Sequence, residues 1–327
     1  KKNILLKNYS YYKTGGVCSR FYSPRNKQEL QLALHDISNE KLPYFLLGKG
    51  SNSLISDERW HGAVISFQHL TNITHKQQTL ICEAGVENSL IAQRALQHHL
   101  SGCSWMYGLP GQIGATIRMN ARCYGGEISH IIKKVDCFTP KGELIEYEIS
   151  PNSTVFKGYK DTIFMTNNNI IASCEIRLQK GNPQATAQHM HQCKQDRINK
   201  GQFLFPSSGC IFKNDYHPDV SIPAGYLLDA VGAKKLNQHH AAVSQQHANF
   251  IFNKNQAKSS DILELSFLMQ EKVWEEFGVW LSYELEVLGT LPPKLKKRFY
   301  EKRPAQHNKD KLSKLRSLFI KKSSAKK

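Results

Sequence analysis

Three short segments of this chain carry residue types that can do chemistry. The first, Gly48-Lys49-Gly50-Ser51-Asn52, follows the apolar run Tyr44–Leu47. Its glycines permit backbone bends that turn successive N–H groups towards one anion, and Ser51 and Asn52 add short donors. The spacing matches neither the dinucleotide-binding nor the P-loop fingerprint, and taken alone an ordinary tight turn explains it better. The second, Gly108 to Ala115, contains Pro110, Gly111, Gly114 and Ala115 and is followed by Asn120, Tyr124, Gly125, Gly126 and Glu127. Small residues let backbone approach a flat ring and its phosphates, and two such clusters about sixty residues apart favour a large bound nucleotide over either cluster alone. The third, Pro206 to Asn214, sets Cys210 between Gly209 and Ile211, with Lys213 and Asn214 close behind for an anionic ligand. By residue type alone Cys210 is a buried free thiol. No His/Asn pair accompanies it as in a thiol protease.

The elements that must position these segments are read from hydrophobic periodicity. Leu30, Ala33, Leu34 and Ile37 share one helical face between Asn26 and Ser38, and helical spacing returns from Ser89 to Leu100. Strands are expected at 133–139, 143–148 and 169–177, and a helix in the middle of 181–200. The strongest helix is 261–277, with Asp261 and Glu264 at capping-box spacing and Gly278 as its stop. From Val279 to Leu288 strict alternation predicts a strand with Trp280, Ser282, Glu284 and Glu286 on its polar face.

Composition narrows the class. A chain of 327 residues, 40% hydrophobic and 22% charged, is neither disordered nor collagenous and is long enough for two or three domains. Its eight cysteines form no C-x-x-C pair and no zinc spacing, so they read as reduced thiols, with no metal expected. The opening apolar stretch is too short for a signal peptide and no run approaches membrane-spanning length, so a cytoplasmic enzyme is expected. The net charge of +17 suggests nucleic acid until it is located. Residues 291–327 hold fourteen Lys/Arg and two acids, leaving the body only mildly basic. That tail is expected to be disordered, with a basic amphipathic stretch at 311–322 that could make weak contact with anionic membrane or RNA; specific nucleic-acid binding is not expected.

In this order and spacing, the segments resemble the UDP-N-acetylenolpyruvoylglucosamine reductase (UDP-N-acetylmuramate dehydrogenase) family, in its shorter type. The likeness runs from about Asn8 to Gly289. It includes Thr14-Gly15-Gly16, the 48–52 loop with Asp57, Pro110 to Gly114, Asn120, Tyr124-Gly125-x-Glu127 and Tyr159-Lys160-Asp161-Thr162. Gly209 to Asn214, His247-Ala248-Asn249-Phe250 and Leu281 to Gly289 complete it.

The resemblance implies an α+β fold: a two-part FAD-binding region of the vanillyl-alcohol-oxidase type, at 1–70 and 71–198, then a smaller α+β substrate domain at 199–290. It implies non-covalent FAD, NADPH as electron donor, and reduction of UDP-N-acetylglucosamine enolpyruvate to UDP-N-acetylmuramate. Hydride addition creates an enolate beside a carboxylate, so the site must stabilise negative charge and deliver one proton on a fixed face. By motif position Cys210, where many members have Ser, is the proton donor. Lys160 replaces an Arg expected to stabilise the enolate, and Glu284 is the carboxylate of the C-terminal strand. Gly48, Lys49, Gly50, Ser51, Asn52, Pro110, Gly111, Gly114, Ala115, Asn120, Tyr124 and Gly125 would hold the cofactor. Tyr159, Lys200, Lys213 and Asn214 would meet the substrate. Arg122 and Cys123 depart from a usual Gly-Ala beside the flavin, Ala115 from a usual Gly, and His239-His240 from a Gly-Gly pair. Another FAD-dependent oxidoreductase on the same scaffold, and a non-catalytic binder of anionic surfaces, are the alternatives.

Overall fold

A computed structural model describes residues 1–214, 222–304 and 306–324, with side chains up to Lys321. Parts of the expected substrate domain (215–221) and tail (305 and 325–327) lie outside the described residues. The chain divides into two compact units: Lys1–Ile4, Cys18–Lys49 and His61–Arg197 form one, and Leu5–Val17, Gly50–Trp60 and Ile198–Lys327 the other.

The first unit contains two larger sheets and, among the described residues, three two-stranded ladders. One has four strands in the order Lys2–Leu5, Val17–Tyr22, Trp60–Ser66 and Tyr44–Leu47, the last two parallel. The helix α1 (Lys27–Asn39) buries Leu30, Ala33, Leu34 and Ile37, the face expected from their spacing; Asn26 caps it by accepting the Glu29 N–H. The other sheet is antiparallel, in the order Leu144–Glu148, Ile132–Phe138, Ile170–Arg177, Thr79–Glu83 and Ile73–Lys76. Its central strands bury Val135, Cys137, Ile170, Cys174 and Ile176 in one core with α2 (Asn88–Gln97) and α3 (Ile113–Arg118). The helix α4 (Pro183–Asn199) turns Thr186, Met190, Cys193 and Arg197 inwards, so a cation occupies its buried stripe.

The second unit is built around α6 (Ser259–Phe277), whose Ile262, Leu265, Phe267, Met269 and Val273 are buried. The α5 helix (Ala224–Ala230) and a three-stranded antiparallel sheet, Asn237–Gln238, Ala241–Val243 and Ile251–Asn253, share this core. Asp261 is the third helical residue of α6, not its cap: its carboxylate accepts the Lys258 N–H, and Gly278 ends the helix at φ +65°. The expected strand 279–288 is a ladder only at Glu286–Leu288, which runs parallel to Ser53–Ile55. The alternation before it is real, since Leu281 and Leu285 are buried and Ser282 exposed, but the backbone there makes irregular bonds.

The tail is not free chain. It forms α7 (Pro293–Phe299) and α8 (Lys309–Ser324), because Leu295, Phe299, Leu312 and Leu315 pack on the second core. Phe299 lies 4.5 Å from the Tyr283 ring, and Phe319 lies 5.1 Å from Tyr226.

One carboxylate ties distant pieces of this unit together. Asp57 accepts the Gly15 N–H at 2.8 Å and the Ser259 N–H at 2.6 Å, joining the amino-terminal loop to the start of α6. Asp57→Ala leaves both amides without their acceptor and should lower unfolding free energy by about 2–4 kcal/mol. Urea unfolding checks this, and a parent-like midpoint would remove Asp57 from that role.

Candidate active site

Cys210 follows a left-handed Gly209 at φ +74°, where a side chain would strain the backbone. Cys210 is in no disulfide and is half-buried. Its backbone bridges Phe250, and the next two residues are clamped by Asn249. The Ile211 N–H donates to the Asn249 carbonyl, the Phe212 N–H to Asn249 Oδ1 at 3.0 Å, and Asn249 Nδ2 to the Phe212 carbonyl at 2.8 Å. Buried amide pairs of this kind hold a segment in one register, since losing either partner strands a polar group.

Glu284 belongs to the same cluster. The Ile211 carbonyl accepts both the Glu284 N–H at 2.8 Å and the Leu285 N–H at 3.2 Å. Two residues facing one is the arrangement of a β-bulge, which breaks the expected strand and re-aims the side chain at that point. Asn52 then brackets Glu284: Asn52 Nδ2 donates to the Glu284 carbonyl at 3.0 Å, and its own carbonyl accepts the Glu286 N–H at 3.1 Å. Asn52, expected to bind cofactor, thus fixes the carboxylate segment.

The other candidates in the second unit are more dispersed. The Lys213 N–H donates to the Ser282 carbonyl at 2.8 Å. Asn214 Oδ1 accepts the Ala224 N–H at the start of α5. Lys200 lies exposed just past the end of α4.

In the first unit, Asn120 is the organising residue. It is buried, adopts φ +42°, and donates through Nδ2 to Glu127 Oε1 at 2.7 Å and to the Gly158 carbonyl at 2.9 Å. The second bond holds the turn carrying Tyr159 and Lys160 against the 120–127 loop, and Thr162 Oγ1 donates to the Arg118 carbonyl beside it. Lys160 takes the left-handed conformation, φ +54°, and its ammonium is near enough to favour thiolate at Cys123. Arg122 places its guanidinium 4.1 Å from the Tyr159 ring centroid.

Tyr124 faces helix α4. Its hydroxyl donates to Asp196 Oδ2 at 2.6 Å and Arg197 stacks 4.6 Å from its ring centroid, while burial pushes the phenol pKa up. Arg197 is only 3% exposed and donates to the carbonyls of Trp105, Tyr107 and Cys193 and to Cys123 Sγ. A buried cation is tolerated because its donors are satisfied. Sequence reasoning missed Arg197, and it passed over Gln112 and Asn249 as positioning residues; all three act through backbone groups far along the chain.

Close packing against the rest of the protein requires glycine at several of these positions. Gly111 and Gly114 dock the 108–115 loop on residues 84–88, and a Cβ at Gly114 would lie 2.9 Å from that of Ala84. A Cβ at Gly48 would lie 2.8 Å from Gln112 Oε1. That oxygen and Asn120 Oδ1 are buried with no hydrogen-bond partner among the described residues. Orphaned acceptors of this kind fit a ligand rich in hydroxyl and N–H donors, as FAD is. Gly125 has open space around it and Ala115 is exposed at the first turn of α3, so the extra methyl meets no core. Lys49 pairs with Glu87 at 2.5 Å, and Pro110 is half-buried.

Residues 19–148 match the FAD binding domain family, and residues 199–288 match the family described as UDP-N-acetylenolpyruvoylglucosamine reductase, C-terminal domain. A nucleotide-binding region of sheets and helices joined to a smaller α+β unit bearing a thiol and a carboxylate defines an FAD-dependent oxidoreductase. The chain belongs to the UDP-N-acetylenolpyruvoylglucosamine reductase family. It is 37% identical over 289 residues to the enzyme of that name from Borrelia garinii subsp. bavariensis, covering 88% of this chain and 92% of the relative. It is 31% identical to that of Clostridium novyi over 293 residues, with the same coverage. The crystal structure of UDP-N-acetylenolpyruvylglucosamine reductase (MurB) from Thermus caldophilus superposes with a TM-score of 0.72 at 31% identity, covering 88% of this chain and 98% of that one.

Burial separates Cys123 from an ordinary reactive thiol. It pushes the Cys123 pKa up against the opposing pull of Arg197, and it pushes Cys103 up to about 12. Because only thiolate is nucleophilic, a raised pKa means slow alkylation at pH 8. Iodoacetamide with mass-spectrometric readout should modify Cys123 more slowly than an unperturbed thiol of pKa near about 8.5. Modification at the free-thiol rate would contradict this.

Proposed function

We propose that this chain reduces UDP-N-acetylglucosamine enolpyruvate to UDP-N-acetylmuramate with NADPH, in peptidoglycan precursor synthesis. The observation that carries the reading is the shared Ile211 carbonyl, which binds the Cys210 segment and the Glu284 segment into one backbone unit. Gly48, Lys49, Gly50, Ser51, Asn52, Pro110, Gly111, Gly114, Ala115, Asn120, Tyr124 and Gly125 hold FAD without a covalent bond, with Gln112 added for its orphaned acceptor. When bound, FAD supplies the two-electron carrier that takes hydride from NADPH and passes it to the enolpyruvyl methylene carbon.

The side chains do the rest. Cys210 donates its thiol proton to the carbon next to the substrate carboxylate. Lys160 stabilises the enolate charge that precedes that transfer. Glu284 returns a proton to the sulfur between turnovers. Tyr159 lines the sugar-nucleotide site, and Lys200, Lys213 and Asn214 meet the diphosphate. The division of the flavin region near residue 70 accords with its two sheets, one ending at Ser66 and the other beginning at Ile73. No helix among the described residues is long and apolar enough to cross a membrane, and none of the eight cysteines is in a disulfide. With a sugar nucleotide and NADPH as substrates, we place the reaction in the cytoplasm.

The holoprotein should be yellow, bleach with NADPH under argon, and regain colour with the enolpyruvyl nucleotide. Recovery by oxygen alone would favour an oxidase on the same scaffold, and colourless folded protein a binder. Cys210→Ala should bleach at a rate within about twofold of the parent yet lose about 10²- to 10⁴-fold in product formation. Product at the parent rate would remove Cys210 as donor. Only the thiol form donates, and an ordinary thiol loses its proton near about pH 8.5 whereas a hydroxyl does not. Substrate reduction should therefore fall on the alkaline side in the parent and stay level in Cys210→Ser; superimposable alkaline limbs in stopped-flow profiles would refute the assignment.

For the tail we propose weak contact with anionic membrane or RNA through Lys314, Arg316 and Lys321, all exposed on α8. Retention of Lys314→Gln/Lys321→Gln protein on anionic liposomes and on RNA at parent levels would eliminate it.

A further inference from the structure

The second unit holds a cation-lined cavity that the reductase reading does not use. It has a volume of about 410 Å³, and Lys234, Lys235, His239, His240 and Lys254 line it along the hairpin of Asn237–Gln238 and Ala241–Val243. Lys234 and Lys235 belong to a single helical turn, Ala233–Lys235, just before the first strand. His239 and His240 are the two residues of the hairpin turn, the former at φ +47°. Lys254 follows the third strand, and its N–H donates to the His240 carbonyl at 3.0 Å, which sets it beside that turn. At the open end of the hairpin, Gln245 Nε2 donates to the Lys234 carbonyl at 2.6 Å. Ala241 and Val243, both part of the second core, back the cavity.

The charge on this wall has one sign. None of the described residues lining the cavity is acidic. Lys234 pairs with Asp229 at 2.9 Å, and Lys254 Nζ stands 5.8 Å from the Phe205 ring centroid. The side chains of Lys235, His239 and His240 have no hydrogen-bond or ion-pair partner among the described residues, and Lys254 has no carboxylate partner there. Exposed cations strung along a helix are solvated one by one and call for no ligand. Here three separate segments bring theirs to one concavity, where like charges repel one another and focus a positive potential that an anion relieves.

The donor set narrows the anion. No arginine lines the cavity, so a planar carboxylate finds no fork to grip it through two parallel bonds. Lysine ammoniums are compact point charges suited to tetrahedral phosphate, and an imidazole donates an N–H even when neutral. The volume falls within the range of small-molecule sites, roughly 300–1,000 Å³, which is more than one phosphate fills.

We propose that this cavity is a binding site for an oligophosphate, inorganic or carried as the phosphate chain of a nucleotide. Lys235, His239, His240 and Lys254 contact the phosphates, and Lys234, held by Asp229, adds to the field. The site shares no residue with Cys210, Glu284, Lys200, Lys213 or Asn214, and it does not depend on which reaction the flavin serves.

The test is calorimetric titration of full-length, flavin-loaded protein with inorganic triphosphate and with ATP at about 0.15 M salt, where charges more than roughly 8 Å apart are largely screened. Both ligands should bind. Lys235→Gln/Lys254→Gln, which changes two exposed side chains, should weaken both at least about tenfold, as loss of charged hydrogen bonds does. His239→Asn/His240→Gln, which keeps at position 239 a residue tolerant of positive φ, should also weaken both. Thermal melts identify a variant that has lost its fold, and the other double variant then decides. As a control, Lys314→Gln/Lys321→Gln removes two charges from α8 and should bind both ligands within about twofold of the parent. Equal affinity for triphosphate and ATP would make the phosphate chain the whole ligand, and tighter ATP would make it a nucleotide; both support the site. Absence of binding at about 1 mM ligand removes the site. Equal loss in the α8 variant reduces it to net charge, and parent-like binding in both hairpin variants puts the oligophosphate elsewhere on the chain; each of these overturns the proposal.

Discussion

One carbonyl oxygen, that of Ile211, governs how the Cys210 and Glu284 segments are arranged. By accepting the N–H groups of both Glu284 and Leu285 it forces a bulge where simple alternation would give a regular ladder. The extra residue changes the local twist and the direction of the Glu284 side chain. Everything nearby acts to hold that bulge: Asn52 brackets Glu284 from one side, and Asn249 clamps the Ile211–Phe212 backbone from the other. Each amide bond is worth about 1 kcal/mol net but more if its buried partner is left unmade, so the register resists drift. The Cys210 and Glu284 segments are thus held at their backbone groups, by one carbonyl and two side-chain amides.

The first unit solves an equivalent problem with strain. Asn120, Tyr124 and Lys160 all take positive φ, a region that costs a non-glycine residue about 1–3 kcal/mol and persists only when surroundings over-determine it. The surroundings are identifiable. Asn120 is fixed by Glu127 and Gly158; Tyr124 is fixed at its hydroxyl by Asp196 and at its face by Arg197. Arg197 is the deeper anchor, since a guanidinium buried to 3% exposure must keep its carbonyl partners on Trp105, Tyr107 and Cys193 or pay the full desolvation of a charge.

These anchors explain how much the sequence revealed. Periodicity located α1, α2, α6 and the strands Ile132–Phe138, Leu144–Glu148 and Ile170–Arg177, because burial of one face is a local property of each segment. Glycine clusters and ordered motifs marked the family. The bulge at Glu284 escaped notice since it depends on a carbonyl more than seventy residues away, and alternation continues through it undisturbed. Gln112, Arg197 and Asn249 escaped as positioning residues for the same reason: an amide or guanidinium that binds a distant backbone has no periodic signature. The fold was legible where one face of an element decides its conformation, and the site was not legible where long-range hydrogen bonds do.

The charge of the chain shows the same distinction between amount and place. Most of the +17 lies after residue 290, where it reads as a solvated block, yet several of those cations are structural. Arg298 pairs with Glu271, Lys311 with Glu276, and Arg303 stacks 4.3 Å from the Trp280 ring centroid and 5.9 Å from that of Trp274. These contacts fasten α7 and α8 over apolar side chains that would otherwise face water, so the tail's charge is partly spent locally. The first unit carries fewer cations that are fixed as firmly, Arg122 over the Tyr159 ring and Arg197 over that of Tyr124 among them. A reaction that adds negative charge to a substrate already carrying a diphosphate and a carboxylate depends on where cations are fixed, because a pre-oriented cation stabilises the developing charge without reorganising, whereas a mobile or screened one does not.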